Sequence, residues 1–211
     1  MLWDSFPNLH KVYPLMSRFS YERIPLNIIV VLSSLLWNHA LLSAQEKPIH
    51  FSEIALSLGV DFQHHSPLTA ERHLHGFLGS GLGWLDYDLD GWDDLYCCQG
   101  ASWESMLNPG GTRDLKQTNA LYRNQSGLRF SNATADAGMK EFGYSMGVAI
   151  GDFDNDGFPD IYVNNFGVNR LFWNLGDGTF SEVGTAAGVN AGGFGSGCTW
   201  ADYDNDGDLD L

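Results

Sequence analysis

Asp152-Phe153-Asp154-Asn155-Asp156-Gly157-Phe158-Pro159-Asp160 has the spacing D-x-D-x-D-G-x-x-D, which occurs twice more in the chain, at residues 86–94 and 202–210. Carboxylates stand at positions 1, 3, 5 and 9 of the nine-residue unit and a glycine at position 6. Calcium takes about six to eight oxygen ligands at about 2.3–2.6 Å, and alternate residues of a tight loop can turn their carboxylates inward to supply them. The ligand set read from the spacing is Asp86, Asp88, Asp90 and Asp94 in the first loop, Asp152, Asp154, Asp156 and Asp160 in the second, and Asp202, Asp204, Asp206 and Asp210 in the third. The backbone carbonyl at position 7 (Trp92, Phe158, Asp208) adds an oxygen, which leaves that side chain free to vary. Gly91, Gly157 and Gly207 stand where the loop must reverse, a left-handed conformation that glycine adopts at little cost. Acidic turns that merely solvate hairpin ends have no need of three identical spacings.

The flanking residues separate these loops from the helix-loop-helix sensor, which closes on a bidentate Glu at position 12. Cys97 and Val163 occupy that position in the first two loops, and Asp94-Leu95-Tyr96-Cys97-Cys98 and Asp160-Ile161-Tyr162-Val163 read as strands.

A second motif repeats in step with the first. Asn119-Ala120-Leu121-Tyr122-Arg123-Asn124 followed by Phe130 returns 50 residues later as Asn169-Arg170-Leu171-Phe172-Trp173-Asn174 followed by Phe180. The same offset separates Asp152 from Asp202 and Gly138 from Gly188. An earlier half unit begins at Phe51-Ser52-Glu53-Ile54 and runs to Gly59-Val60, matching Phe180-Ser181-Glu182-Val183 and Gly188-Val189. Three periods are expected, the first lengthened by insertions at about 61–80 and 99–116.

Within one unit four short strands are expected, at 147–151, 161–164, 170–173 and 179–183, with Leu175-Gly176-Asp177-Gly178 supplying the turn of the last hairpin. Four antiparallel strands every 50 or so residues is the size of a propeller blade, whereas apolar residues at the three-and-four spacing of a helical solenoid are absent. The fold class expected is all-β, a partial β-propeller of about three four-stranded blades.

The segments Gly147-Val148-Ala149-Ile150-Gly151-Asp152-Phe153-Asp154-Asn155-Asp156-Gly157, Asn169-Arg170-Leu171-Phe172-Trp173-Asn174 and Phe62-Gln63-His64-His65-Ser66 resemble calcium-binding propeller repeats of the FG-GAP or VCBS type, found in integrin α-subunit heads. Within that group the resemblance looks closest to secreted, ASPIC/UnbV-associated, cartilage-acidic-protein-like members, and it covers about residues 51–211. It implies calcium as cofactor, at up to three sites, and a module for protein or carbohydrate binding or adhesion. Because such propellers close with about seven blades, the resemblance also implies a chain that continues past Leu211 through further blades and a C-terminal ASPIC/UnbV domain.

Composition narrows the function classes. The net charge of −15 excludes a nucleic-acid binder, which needs a basic surface. Twelve of the 26 acidic residues are loop ligands. Arg18 and Arg23 precede an apolar run at 24–36, and Leu41-Leu42-Ser43-Ala44 offers a small-residue cleavage point, so residues 1–44 are expected to be an export signal with Met16 as an alternative start. The propeller repeats then occupy residues 45–211. The location expected is secreted, cell-surface or periplasmic, where calcium near millimolar would keep weak loops filled.

No H-E-x-x-H motif or phosphate-binding glycine loop after a strand is present, and the expectation is a non-catalytic module. The alternative is the propeller portion of an exported, for instance polysaccharide-active, enzyme whose catalytic residues lie outside these residues. His64, His65, His73 and His75, with Glu71 among them, form a second, weaker metal candidate. Residues 99–116, with Trp103, Met106 and Arg113, are the candidate contact loop. Cys97, Cys98 and Cys198 are expected as free thiols, Cys97 and Cys98 on opposite faces of one strand with at most one of them in the core.

Overall fold

The computed structural model describes residues 49–66, 74–101 and 118–211. The expected export signal at 1–44, most of the contact loop at 99–116 and His73 lie outside the described residues. Two units are distinguished, residues 1–52 and 53–211, and the strands all belong to the second.

Eight strands run in chain order: β1 (Leu82–Leu85), β2 (Asp94–Cys97), β3 (Ala120–Asn124), β4 (Phe130–Asn132), β5 (Tyr144–Gly151), β6 (Asp160–Phe166), β7 (Arg170–Asn174) and β8 (Phe180–Glu182). They make two four-stranded sheets of order β1-β2-β3-β4 and β5-β6-β7-β8, each strand antiparallel to its sequence neighbour. The four strands expected for one unit are β5 to β8, with ends shifted by at most three residues. The register repeats as well: Tyr96 faces Leu121 in the first sheet, and Tyr162 faces Leu171 in the second.

Both faces of each sheet are covered, so the strands read as nearly continuous apolar runs rather than alternating ones. Between the sheets lies the main core, built by Leu85, Tyr96, Leu121 and Met139 from one side and Ile161, Val163, Phe172 and Phe180 from the other. Val60 and Phe62 cover the far face of the first sheet, over Leu95, Cys97 and Tyr122. Val189, Cys198 and Trp200 cover the far face of the second. Cys97 and Cys98 therefore point to opposite faces as expected, but both are buried, each in a different apolar cluster. The expectation that at most one of them lies in the core fails because this sheet is packed on both faces.

The half unit at the start keeps the turn of its later copies, although residues 51–53, the counterparts of β8, form no strand. Val60 N–H bonds to Ala55 carbonyl, Met139 N–H to Thr134 carbonyl and Val189 N–H to Gly184 carbonyl, at 2.9, 2.9 and 3.0 Å. A single helical turn thus follows β4 and β8, and the same turn stands at residues 55–60. First strands of successive units approach at glycine: Gly81 N–H donates to the Met146 carbonyl at 3.0 Å, and a Cβ on Gly81 would lie 3.1 Å from the Cα of Gly147. Gly147 in turn stands against the Cα of Gly197.

The third unit differs from the expectation of three blades. Its loop is formed, and among the described residues its ladder is the single Ala201–Asp210 bridge rather than a sheet.

Candidate metal centre

All three acidic loops share one hydrogen-bond pattern, set by their own aspartates. The position-1 carboxylate accepts the backbone N–H of position 5 on one oxygen and of position 6 on the other: Asp86 from Asp90 and Gly91 at 3.0 and 2.8 Å, Asp152 from Asp156 and Gly157 at 3.1 and 2.8 Å, Asp202 from Asp206 and Gly207 at 3.1 and 3.2 Å. The position-5 carboxylate accepts the N–H of position 7 in each (Trp92, Phe158, Asp208). The loop is a chain of side-chain-closed turns, which gathers the carboxylates of positions 1, 3 and 5 in the first and third loops and those of positions 1, 3 and 9 in the second. Gly157 sits at φ 94° and its counterparts Gly91 and Gly207 at 87° and 97°. Position 4 is left-handed too, with Asn155 at 59°, Asn205 at 62° and Leu89 at 54°. Asparagine tolerates that conformation far better than leucine, so this second requirement was visible in two loops and hidden in the third.

Asp86, Asp88 and Asp90 bring one oxygen each within 4.8 Å of one another, as do Asp152, Asp154 and Asp160, and Asp202, Asp204 and Asp206. Among the described residues these are the groups of acidic, histidine or cysteine side chains close enough to share an ion. His64 and His65 are otherwise engaged, His64 Nε2 with Ser80 Oγ at 2.8 Å and His65 Nδ1 with the Gln63 carbonyl at 3.0 Å.

The position-9 aspartates do something that charge spacing could not reveal. Asp94 and Asp160 are wholly buried. One oxygen accepts the N–H of position 2, from Tyr87 at 3.2 Å and Phe153 at 3.0 Å. The other accepts a backbone N–H at the end of the third strand of the unit, from Asn124 at 2.6 Å and Asn174 at 2.8 Å. Each carboxylate therefore ties the loop to β3 or β7. Burial pushes both carboxyls up to about 6, against the pull of those two hydrogen bonds and with a further push from neighbouring aspartates. Asp210 makes the loop half of this pattern only, accepting Tyr203 N–H at 2.9 Å while exposed.

Asparagines of the second repeated motif complete the frame. Asn174 Nδ2 donates to the Pro159 carbonyl at position 8 of its own loop and to the Tyr87 carbonyl of the preceding loop, at 3.2 and 2.9 Å. Asn124 Nδ2 likewise reaches the Asp93 carbonyl. Asn119 and Asn169 donate to the hydroxyls of Tyr96 and Tyr162, both at 2.9 Å. Their fifty-residue recurrence was legible; their role as clamps between loop, strand and neighbouring unit was not.

Whether the donor set suits a hard cation is answered by the oxygens left over. Asp88 Oδ1 is buried with no hydrogen-bond partner, at a position whose neighbours are carboxylates. The Asp88 carboxylate is paired through Oδ2 with Arg123 at 2.6 Å, and its Oδ1 is left as an acceptor that a cation could use. Oxygen-only donors in a loop of this spacing fit calcium rather than a softer metal.

A family model described as FG-GAP-like repeat matches residues 86–163 and again residues 152–211, together more than half of the chain. The chain belongs to the FG-GAP-like repeat family. Each FG-GAP match begins at the first aspartate of one loop and takes in the next loop as well, so the two matches overlap at the second loop, over residues 152–163. No curated protein matches the chain.

Proposed function

We propose that residues 45–211 form a calcium-rigidified β-propeller module of the secreted, ASPIC/UnbV-associated kind, which binds an extracellular protein or carbohydrate and carries no catalytic residues of its own. One observation carries the metal part of this reading: the same hydrogen-bonded cage is built three times, and in the first cage a buried aspartate oxygen lacks a donor. Calcium would be held by the aspartates of positions 1, 3 and 5, with position 9 and the position-7 carbonyl (Trp92, Phe158, Asp208) completing the set. Its work would be to neutralise clustered carboxylates and fix the loops that join the first and second strands of each unit.

Two further points support the module reading. The acidic surface suits a cation-rich extracellular setting rather than nucleic acid. Both sheets are packed on two faces, which leaves loops as the surfaces for a ligand.

The test is a thermal melt of the full chain in millimolar calcium and in EDTA, with calcium stoichiometry by titration. Linkage gives about 2.7 kcal/mol per site when free calcium is about 100 times Kd, so even one filled loop raises the melting point measurably. Superimposable melts in the two buffers would remove calcium from the proposal. Binding to a panel of extracellular matrix proteins and glycans, lost in EDTA, checks the module part.

A further inference from the structure

The first loop differs from the other two in one respect that bears on its charge. Arg123, on β3, sends its Nη2 to Asp88 Oδ2 at 2.6 Å and to Asp90 Oδ2 at 3.4 Å. These are positions 3 and 5 of the cage, and the guanidinium therefore stands where positive charge is wanted. Its backbone position is not accidental, since the next residue, Asn124, donates its N–H to Asp94 and so pins this end of β3 to the loop. The same pinning at Asn174 places Trp173 at the matching register of β7, an uncharged indole. Among the described residues the third loop has no third strand and no counterpart.

We propose that Arg123 is a tethered cation of the first loop, which orders that loop without metal and makes it bind calcium more weakly than the second loop. The inference rests on the calcium reading of the loops. It is a matter of competition rather than exclusion. Asp88 keeps a buried oxygen without a donor, and the Arg123 side chain is 46% exposed, so the guanidinium has room to withdraw when calcium enters. Losing its two ion pairs and remaining near a doubly charged ion costs on the order of tenfold or more in affinity, even at water-like screening. Leu89 points the same way. It holds a left-handed φ of 54° where the other loops have asparagine, so the first loop relies on its own contacts to keep the cage shape.

The experiment compares the full wild-type chain with Arg123→Met, which keeps the aliphatic stem without the charge, and with Arg123→Trp, the residue found in the second repeat. Calcium titrations at about 0.15 M salt are read beside melts in EDTA and in saturating calcium. In wild type one site fills at about tenfold or more higher calcium than the others; in both variants it fills with them, and adding Asp88→Asn to Arg123→Met removes it again. In EDTA the variants melt below wild type, whereas calcium raises them by more than it raises wild type. A wild-type chain whose sites fill together, or variants whose titration and EDTA melt both match wild type, would overturn the proposal. Melts that calcium moves in none of the proteins would overturn the calcium reading itself, and this inference with it.

Discussion

Replacing Asp160 with alanine should cost the second unit its tie between loop and sheet, whether or not calcium is present. The carboxylate is fully buried, and its two oxygens accept the backbone N–H groups of Phe153 and Asn174 at 3.0 and 2.8 Å. Alanine leaves both donors buried without a partner. Each such donor costs about 1–3 kcal/mol, and release of a carboxylate that burial already disfavours offsets part of this. About 3 kcal/mol remains, and for a domain of this size each kcal/mol moves the melting point by about 2–4 °C, giving a fall of about 6–12 °C. Asp210→Ala is the internal control, because Asp210 is exposed and holds only Tyr203 N–H. Circular-dichroism melts in EDTA read the difference. Equal melting points for Asp160→Ala and Asp210→Ala would refute the account, and a loss seen only with calcium would make Asp160 a metal ligand alone rather than a tie to β7.

The remaining predictions concern pH, packing and thiol reactivity. Asp94 and Asp160 stand at about 6 in the fold against an ordinary 3.8, so the folded chain holds protons there that the unfolded chain has lost. Their contribution to metal-free stability is therefore greatest at the acid end of that window and is lost as pH rises through about 6. His64, lowered by burial and by the nearby His65, works in the opposite direction, so melts of wild type and Asp160→Asn across pH 4.5–7.5 in EDTA isolate the carboxyl, whose slope the variant should flatten. With calcium the sign reverses, and titrations should show affinity falling below about pH 6 as protons compete for the ligands. Gly81→Ala puts a methyl 3.1 Å from the Cα of Gly147 and 3.2 Å from the nitrogen of Val148, backbone that cannot step aside, and a loss of about 1–3 kcal/mol is expected in denaturant titration. Burial pushes the Cys97 thiol up to about 11 and Cys98 further still, so mass spectrometry after brief alkylation at pH 8 should find label on half-buried Cys198 well before either of them.

Much of this fold was legible because its repeat is written in residues with strict conformational or ionic demands. The recurrence of Asp152 as Asp202, the glycines at position 6 and the Leu175-Gly176-Asp177-Gly178 turn placed β5 to β8 to within three residues. What the spacing concealed were partners distant in sequence. Asp160 looks like one more ligand until Asn174, fourteen residues on, is found donating to it. Arg123 looks like a surface residue of a strand until the loop 33 residues before it folds back beneath its guanidinium. Cys97 and Cys98 alternate as any strand pair does, and nothing local to them says that a second apolar layer, from Val60 and Phe62, closes the far face.

Besides the apolar core they share, consecutive units are held at two separated places, the Gly81–Gly147 approach and the reach of Asn174 to the Tyr87 carbonyl. Apolar packing by itself would let one sheet swivel on the next, whereas these directional contacts help fix the angular pitch between them. Loop tips carried by neighbouring sheets are thereby held like teeth on a gear, at an interval that belongs to the backbone rather than to whatever docks there, and a ligand bridging two of them gives up little orientational entropy on the protein's side.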